Sequence, residues 1–234
     1  MLYIKKLLRF ILAKVRGKTV FKQELLLIKA LKEKGINRNG LKIECDHDLG
    51  LNYVNGIEFG IKYPDSFFFR AVELTSKSKK VDFYFNGYVN KSGGRDILLE
   101  PFRSLPRSSI IASSEGRADK TKDIFNLDYF ESLAQAKFGL CPHQLDWPGS
   151  KEHLWTYRFI EACFVGCIPV SFRATPLGEN FMKDYHYVYD DEVLDNFSST
   201  VVKYGYKEGL ANQALAKKQF CFTDAEIERI ILTL

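Results

Sequence analysis

The stretch TYRFIEACFVGCIPVSF, Thr156 to Phe172, reads as a short helix that stops at a glycine and gives way to a strand. Thr156 suits the N-cap, because its hydroxyl can accept from a free N–H of the first turn. Gly166 suits the stop and Pro169 the head of the following strand. Arg158 and Glu161 stand three apart and so share a face. A guanidinium offers phosphate a fork of donors, and a carboxylate accepts from two sugar hydroxyls. The pair therefore matches the two ends of a nucleotide-sugar. It equally matches a surface ion pair on an amphipathic helix, and spacing alone does not separate the two.

Upstream, KFGLCP (137–142) is a buried strand stopped by proline, and LDYFESLAQA (127–136) the helix before it. SSIIASS reads as a strand, the segment from Ile97 as a helix broken at Pro101 and Pro106, and KKVDFYFNG (79–87) as a strand ending in a glycine turn. Downstream, YHYVYDD is a strand edge, and helices fill the last forty residues. This alternation predicts an α/β fold with a doubly wound, Rossmann-like parallel sheet over 79–200. Such sheets bind ligands at the carboxyl ends of their strands. The strand KFGLCP delivers its loop there, and the helix from Thr156 points its free N–H groups and dipole at the same place, which suits a diphosphate.

Residues 1–78 form a small N-terminal lobe and 201–234 a set of C-terminal helices. In the lobe, 19–34 is helical with a stop at Gly35, LKIEC alternates as a strand, and 50–76 gives no clear pattern. Residues 1–38 hold eleven Lys/Arg against two Glu, so the rest of this +5 chain is net acidic. Lys5, Arg9 and Arg16 cluster on one side of a helix whose other side is apolar. Residues 1–18 then either lie on an anionic membrane surface or pack on their own domain with a solvated basic face. The basic residues lack interleaved aromatics, which argues against nucleic acid. Five cysteines without CxxC pairing point to a reducing compartment. No cleavable signal or membrane span is evident. Together these place the chain in the cytoplasm, free or peripheral on the inner membrane face. P-loop, GxGxxG and HExxH patterns are absent.

The run T-x-R-F-x-E-A-x-x-x-G-C-I-P-V after KFGLCP resembles the donor-binding half of exostosin-like glycosyltransferases, enzymes of the two-lobed fold called GT-B. The likeness covers about residues 80–190 and is densest over 137–170. It implies that Arg158 binds the donor diphosphate, Glu161 the ribose or sugar hydroxyls, and that Thr156 sits beside the phosphates. FYFNG followed by Arg95 resembles the family's first donor-lobe strand and its basic residue; Arg117 and Lys137 are further phosphate candidates. The loop HQLDWPGSKEHLW departs from the family form in its length and two histidines, so Gly149 and Ser150 either contact donor or form a turn.

The acceptor lobe of such enzymes is a full domain. Here it is either pared down or completed by a membrane, a second copy of the chain or another protein. The resemblance implies transfer of a sugar from a nucleoside diphosphate to a hydroxyl of a growing glycan, free or lipid-linked, as in surface polysaccharide or lipopolysaccharide synthesis. An inverting reaction needs a base; Asp46, His47 and Asp48 lead the candidates, followed by His143 and His153. The metal-independent reading needs no cofactor. D-H-D at 46–48 offers a metal-dependent rival of the GT-A kind, with Mg²⁺ or Mn²⁺ on Asp46 and Asp48. A non-catalytic nucleotide-sugar-binding or scaffold subunit is the rival outside enzymes.

Overall fold

The structure, a computed structural model, describes residues 22–89, 94–113, 124–145 and 154–234. The chain divides into two compact units, one of residues 1–65 with 220–234 and one of 66–219. The boundaries therefore fall at the start of the helix after Pro64 and near residue 220, rather than at 78 and 200.

In the first unit, α1 (Lys22–Glu33) buries Leu26, Leu27, Ala30 and Leu31 at helical spacing. It ends as expected at Gly35 (φ 78°), with Ile36 N–H donating to Leu31 O and Gly35 N–H to Lys32 O, both at 3.0 Å. Strands β1 (Ile43–Asp46), β2 (Leu51–Val54) and β3 (Ile57–Gly60) make an antiparallel meander. Asn55 and Gly56, both at positive φ, form the two-residue turn between β2 and β3. A final helix, Asp224–Ile231, brings Ile227 and Ile230 onto a core of Leu27, Leu31, Val54 and Phe59. Lys62, only 3% exposed, is tied there to Glu226 at 2.8 Å and to Cys221 O at 3.2 Å.

The second unit opens with α2 (Asp65–Glu73), whose Phe67 packs edge-on against Phe125, Phe130 and Phe164. Five parallel strands follow: β4 (Val81–Tyr88), β5 (Ser108–Ser113), β6 (Ala136–Leu140), β7 (Ile168–Ser171) and β8 (Val188–Tyr189), in the spatial order β5-β4-β6-β7-β8. Helix α3 (Arg95–Arg103) covers one face, where Leu99 and Phe102 meet Phe83, Phe85, Phe138, Leu140 and Val170. Val193 of α7 (Asp190–Asp195) joins that core, and Phe197 and Val201 of α8 (Phe197–Lys203) pack against it. Helices α4 (Leu127–Ala134) and α5 (Tyr157–Phe164) cover the other face. The sheet is doubly wound. Short α6 (Glu179–Met182) precedes β8, and α9 (Tyr206–Phe220) and α10 (Asp224–Ile231) complete the helices among the described residues.

Two local expectations differ. The helix after β4 runs through Pro101 to Arg103 instead of breaking. Pro101 lies on the wet side, beside Ile97 at 71% exposure, so the ladder bond it lacks is exposed to water. Gly87 is not a turn but part of β4, paired with Ala112 of β5.

Helix α5 approaches β6 closely. A β-carbon on Gly139 would stand 2.8 Å from the Ala162 β-carbon. Gly139→Ala should therefore overpack the interface and cost about 1–3 kcal/mol, read as a fall in the urea midpoint with unchanged slope.

Candidate active site

In this strand order β4 and β6 lie side by side, while the segments leaving their carboxyl ends diverge. One runs to α3 on the first face and the other to α5 on the second. Doubly wound sheets hold their ligands in the crevice at such a switch point.

Three positively charged or basic side chains meet there. Thr156 (φ −149°, ψ 140°) caps α5 as predicted, its Oγ1 accepting from Arg158 N–H at 3.3 Å. Arg158 reaches from the first turn of α5 across to β4. Its Cζ lies 4.7 Å from the centre of the Phe85 ring, a cation–π contact. Its guanidinium also covers Gly87, where a β-carbon would stand 3.0 Å from Cζ and closer still to Nη2. Only a residue without a side chain leaves that space.

Arg95 opens α3 after Gly94 (φ 64°) and is 9% exposed, with Nη1 donating to Tyr88 O at 2.8 Å. Leu145, from the loop after β6, packs on Gly94, its Cδ1 standing 2.6 Å from where a β-carbon would lie. The two loops thus touch across the crevice. His143, on the same loop, donates its backbone N–H to Thr175 Oγ1 at 3.2 Å. Burial lowers the His143 imidazole to about 4; the charges of Arg95 and Arg158 push the same way, against a hydrogen bond with the Gln144 backbone. His143 is therefore neutral at physiological pH, kept so in part by the two arginines.

Glu161 is fully enclosed, at 0% exposure. That excludes an exposed ion pair with Arg158. Both residues act on the Cys141 thiol at the end of β6: burial pushes that thiol well up, Arg158 pulls it down and Glu161 raises it further. Glu161 thus lies beneath the crevice, one turn along α5 from Arg158. The helix ends as expected, with Gly166 at φ 67° and Cys167 N–H donating to Ala162 O at 2.9 Å.

The other predicted residues fall elsewhere. Asp46, His47 and Asp48 turn the chain between β1 and β2 of the first unit. Asp46 Oδ1 accepts from Asp48 N–H and Leu49 N–H, both at 2.9 Å, so this carboxylate builds the turn. His47 Nδ1–H donates to Gln23 Oε1 at 2.8 Å. The three line a shallow surface hollow with Glu44, Cys45 and Tyr53. Among the described residues no group of three or more His, Cys, Asp or Glu is placed to hold a metal, and no helix is long and apolar enough to cross a membrane. Lys137 stands near the amino end of β6, at the far side of the sheet from the crevice, and its ammonium donates to Val201 O. It is therefore removed from the donor-phosphate set. Residues 1–18, Arg117, Gly149, Ser150 and His153 lie outside the described residues. Sequence reading passed over Phe85, Gly87 and Thr175, which seat Arg158 and the His143 loop.

No family model and no curated protein matches the chain. Among solved structures it is similar to the crystal structure of Anabaena Alr3699/HepE in complex with UDP and glucose, at 13% identity and a TM-score of 0.46. The match covers 75% of this chain and 56% of that one, so the chain spans little more than half of that protein's length.

The buried imidazole has a measurable signature. In the unfolded chain His143 binds its proton near pH 6.5, in the folded protein only near 4. Between those values the unfolded state holds more protons, so stability falls as pH drops through this window, by up to about 3 kcal/mol. His143→Gln should flatten that decline in urea titrations at pH 7 and pH 4.5.

Proposed function

We propose that the protein is a glycosyltransferase with an exostosin-like donor site, moving a sugar from a nucleoside-diphosphate-sugar to a glycan hydroxyl. The observation that carries this reading is the convergence of Arg158 and Arg95 at the switch point of the doubly wound sheet, beside the capped N-terminus of α5. Two guanidiniums and the positive end of the α5 dipole answer the charge of a diphosphate, which no neutral ligand would require. The His143 imidazole is held low first by burial and then by the two arginines, and a bound dianion offsets the arginines' part of that effect.

In this reading Arg158 holds the diphosphate through the transition state, when charge builds on the leaving phosphate oxygen. Thr156 orients the helix start, and Glu161 acts from below the crevice. Contact between Glu161 and the donor's hydroxyls requires the crevice floor to open, because the carboxylate is covered. The acceptor-side base is drawn from the Asp46–Asp48 turn. His47 suits it best, since Gln23 fixes its Nδ1–H and leaves Nε2 as the proton acceptor. The reaction needs no metal, and Mg²⁺ or Mn²⁺ on Asp46 and Asp48 is the competing scheme. Acceptor glycans of surface polysaccharide or lipopolysaccharide, membrane attachment through residues 1–18 and self-association complete the proposal.

Calorimetric titration of UDP, GDP, ADP and CMP, with and without EDTA, is the direct test. One nucleotide should bind saturably, unaffected by EDTA, and Arg158→Ala should weaken it by about 1.5–3 kcal/mol, roughly ten- to hundredfold. Gly87→Ala should weaken it too while barely moving the melting temperature, because the added methyl meets only the far end of Arg158. Binding abolished by EDTA but kept in Arg158→Ala would favour the metal scheme instead. Binding without transfer to any acceptor would identify a non-catalytic subunit. For the base, His47→Ala should slow transfer while leaving nucleotide affinity unchanged.

A further inference from the structure

The amino-terminal end of the same sheet carries a charged cavity of about 240 Å³. Its walls come from the amino ends of three strands: Lys79 and Asp82 at β4, Arg107 before β5, and Lys137 at β6. Lys77 joins them, and Gly166, Gly205 and Tyr206 close the wall without adding a charge. Four cations thus face one carboxylate.

The cations are held in place by neutral groups. Lys79 Nζ donates to Ala134 O at 2.8 Å, Arg107 Nη2 to Lys79 O at 2.6 Å, and Lys137 Nζ to Val201 O. Carbonyl oxygens fix these side chains but do not cancel their charge. Asp82, 6% exposed, stands 3.8 Å from Arg107 and is the carboxylate within the wall. Glu208 is the other acid nearby, and its Oε2 already accepts from Gly205 N–H at 2.8 Å at the start of α9. Burial holds the Lys137 ammonium below its ordinary range, and Arg107 adds to the effect, while Asp82 and Glu208 oppose it. By number, the cations of the wall outweigh its one carboxylate.

We infer that this cavity is a second anion site, for a small multivalent phosphate such as pyrophosphate or a phosphomonoester. Polyvalent anions suit it because several fixed donors converge from different strands, and its volume admits a group of that size but not a whole nucleotide-sugar. Asp82 and Gly87 are five residues apart on β4, about 17 Å along an extended strand. That exceeds the screening length in physiological salt, so the two sites fill independently.

Pyrophosphate is the probe, followed by amide chemical shifts on wild-type protein. Shifts at Gly166, Gly205 and Tyr206 that saturate below about 10 mM, persist with UDP present and weaken with salt are the expected result. Lys77→Gln and Arg107→Gln, both at exposed side chains, should each weaken binding roughly two- to fivefold, as loss of an exposed ion pair does. Inorganic phosphate and a hexose phosphate, run in parallel, distinguish a bare anion from a phosphorylated sugar. Shifts confined to Gly87 and its neighbours, displacement by UDP, or affinity unchanged in both variants would overturn the proposal.

Discussion

The approach of α5 to β6 is the constraint on which the rest of the second unit depends. Gly139 and Ala162 are small enough for the helix to lie almost against the strand, and that closeness brings the first turn of α5 over the end of β4. Arg158 can then reach Phe85 and Gly87. A bulkier pair would lift the helix by an ångström or more and withdraw the guanidinium from the crevice. Packing and binding chemistry therefore share one cause here. The stop at Gly166 then returns the chain directly to the sheet as β7.

The crevice joins charges of one sign in a place that is only partly wet. Bringing two guanidiniums and an imidazole together costs energy in the free protein, and keeping the imidazole neutral reduces that cost. An anionic ligand reverses the balance. Beneath it, the Glu161 carboxyl is fully enclosed in the fold, one turn along α5 from Arg158.

Much of this was legible in the chain. The alternation from 79 onward specified the parallel sheet, because continuous apolar runs such as KFGLCP are what strands buried on both faces require. Thr156 and Gly166 announced both ends of α5 by the chemistry of capping. Other features were hidden for physical reasons. Gly87 reads as a turn because glycine usually serves that purpose; its use as a seat for Arg158 depends on a residue 71 positions away. Strands β2 and β3 of the first unit fell inside the stretch without a clear pattern, although Asn55-Gly56 was the available signal for their hairpin; β1 was legible in the alternation of LKIEC. The spacing of Arg158 and Glu161 fixed their shared turn but could not reveal that one would be enclosed and the other half-buried.

The first unit is discontinuous in the chain, with residues 66–219 inserted between its two parts. Phe222, Ile227 and Ile230 belong to the same core as Leu27, Leu31 and Val54. During synthesis the early helix and meander must therefore wait, their apolar faces uncovered, until the last segment has emerged. The inserted unit needs no such delay, since its sheet and helices are contiguous in sequence. Birth order and folding order consequently run in opposite senses: the part made first is the part finished last.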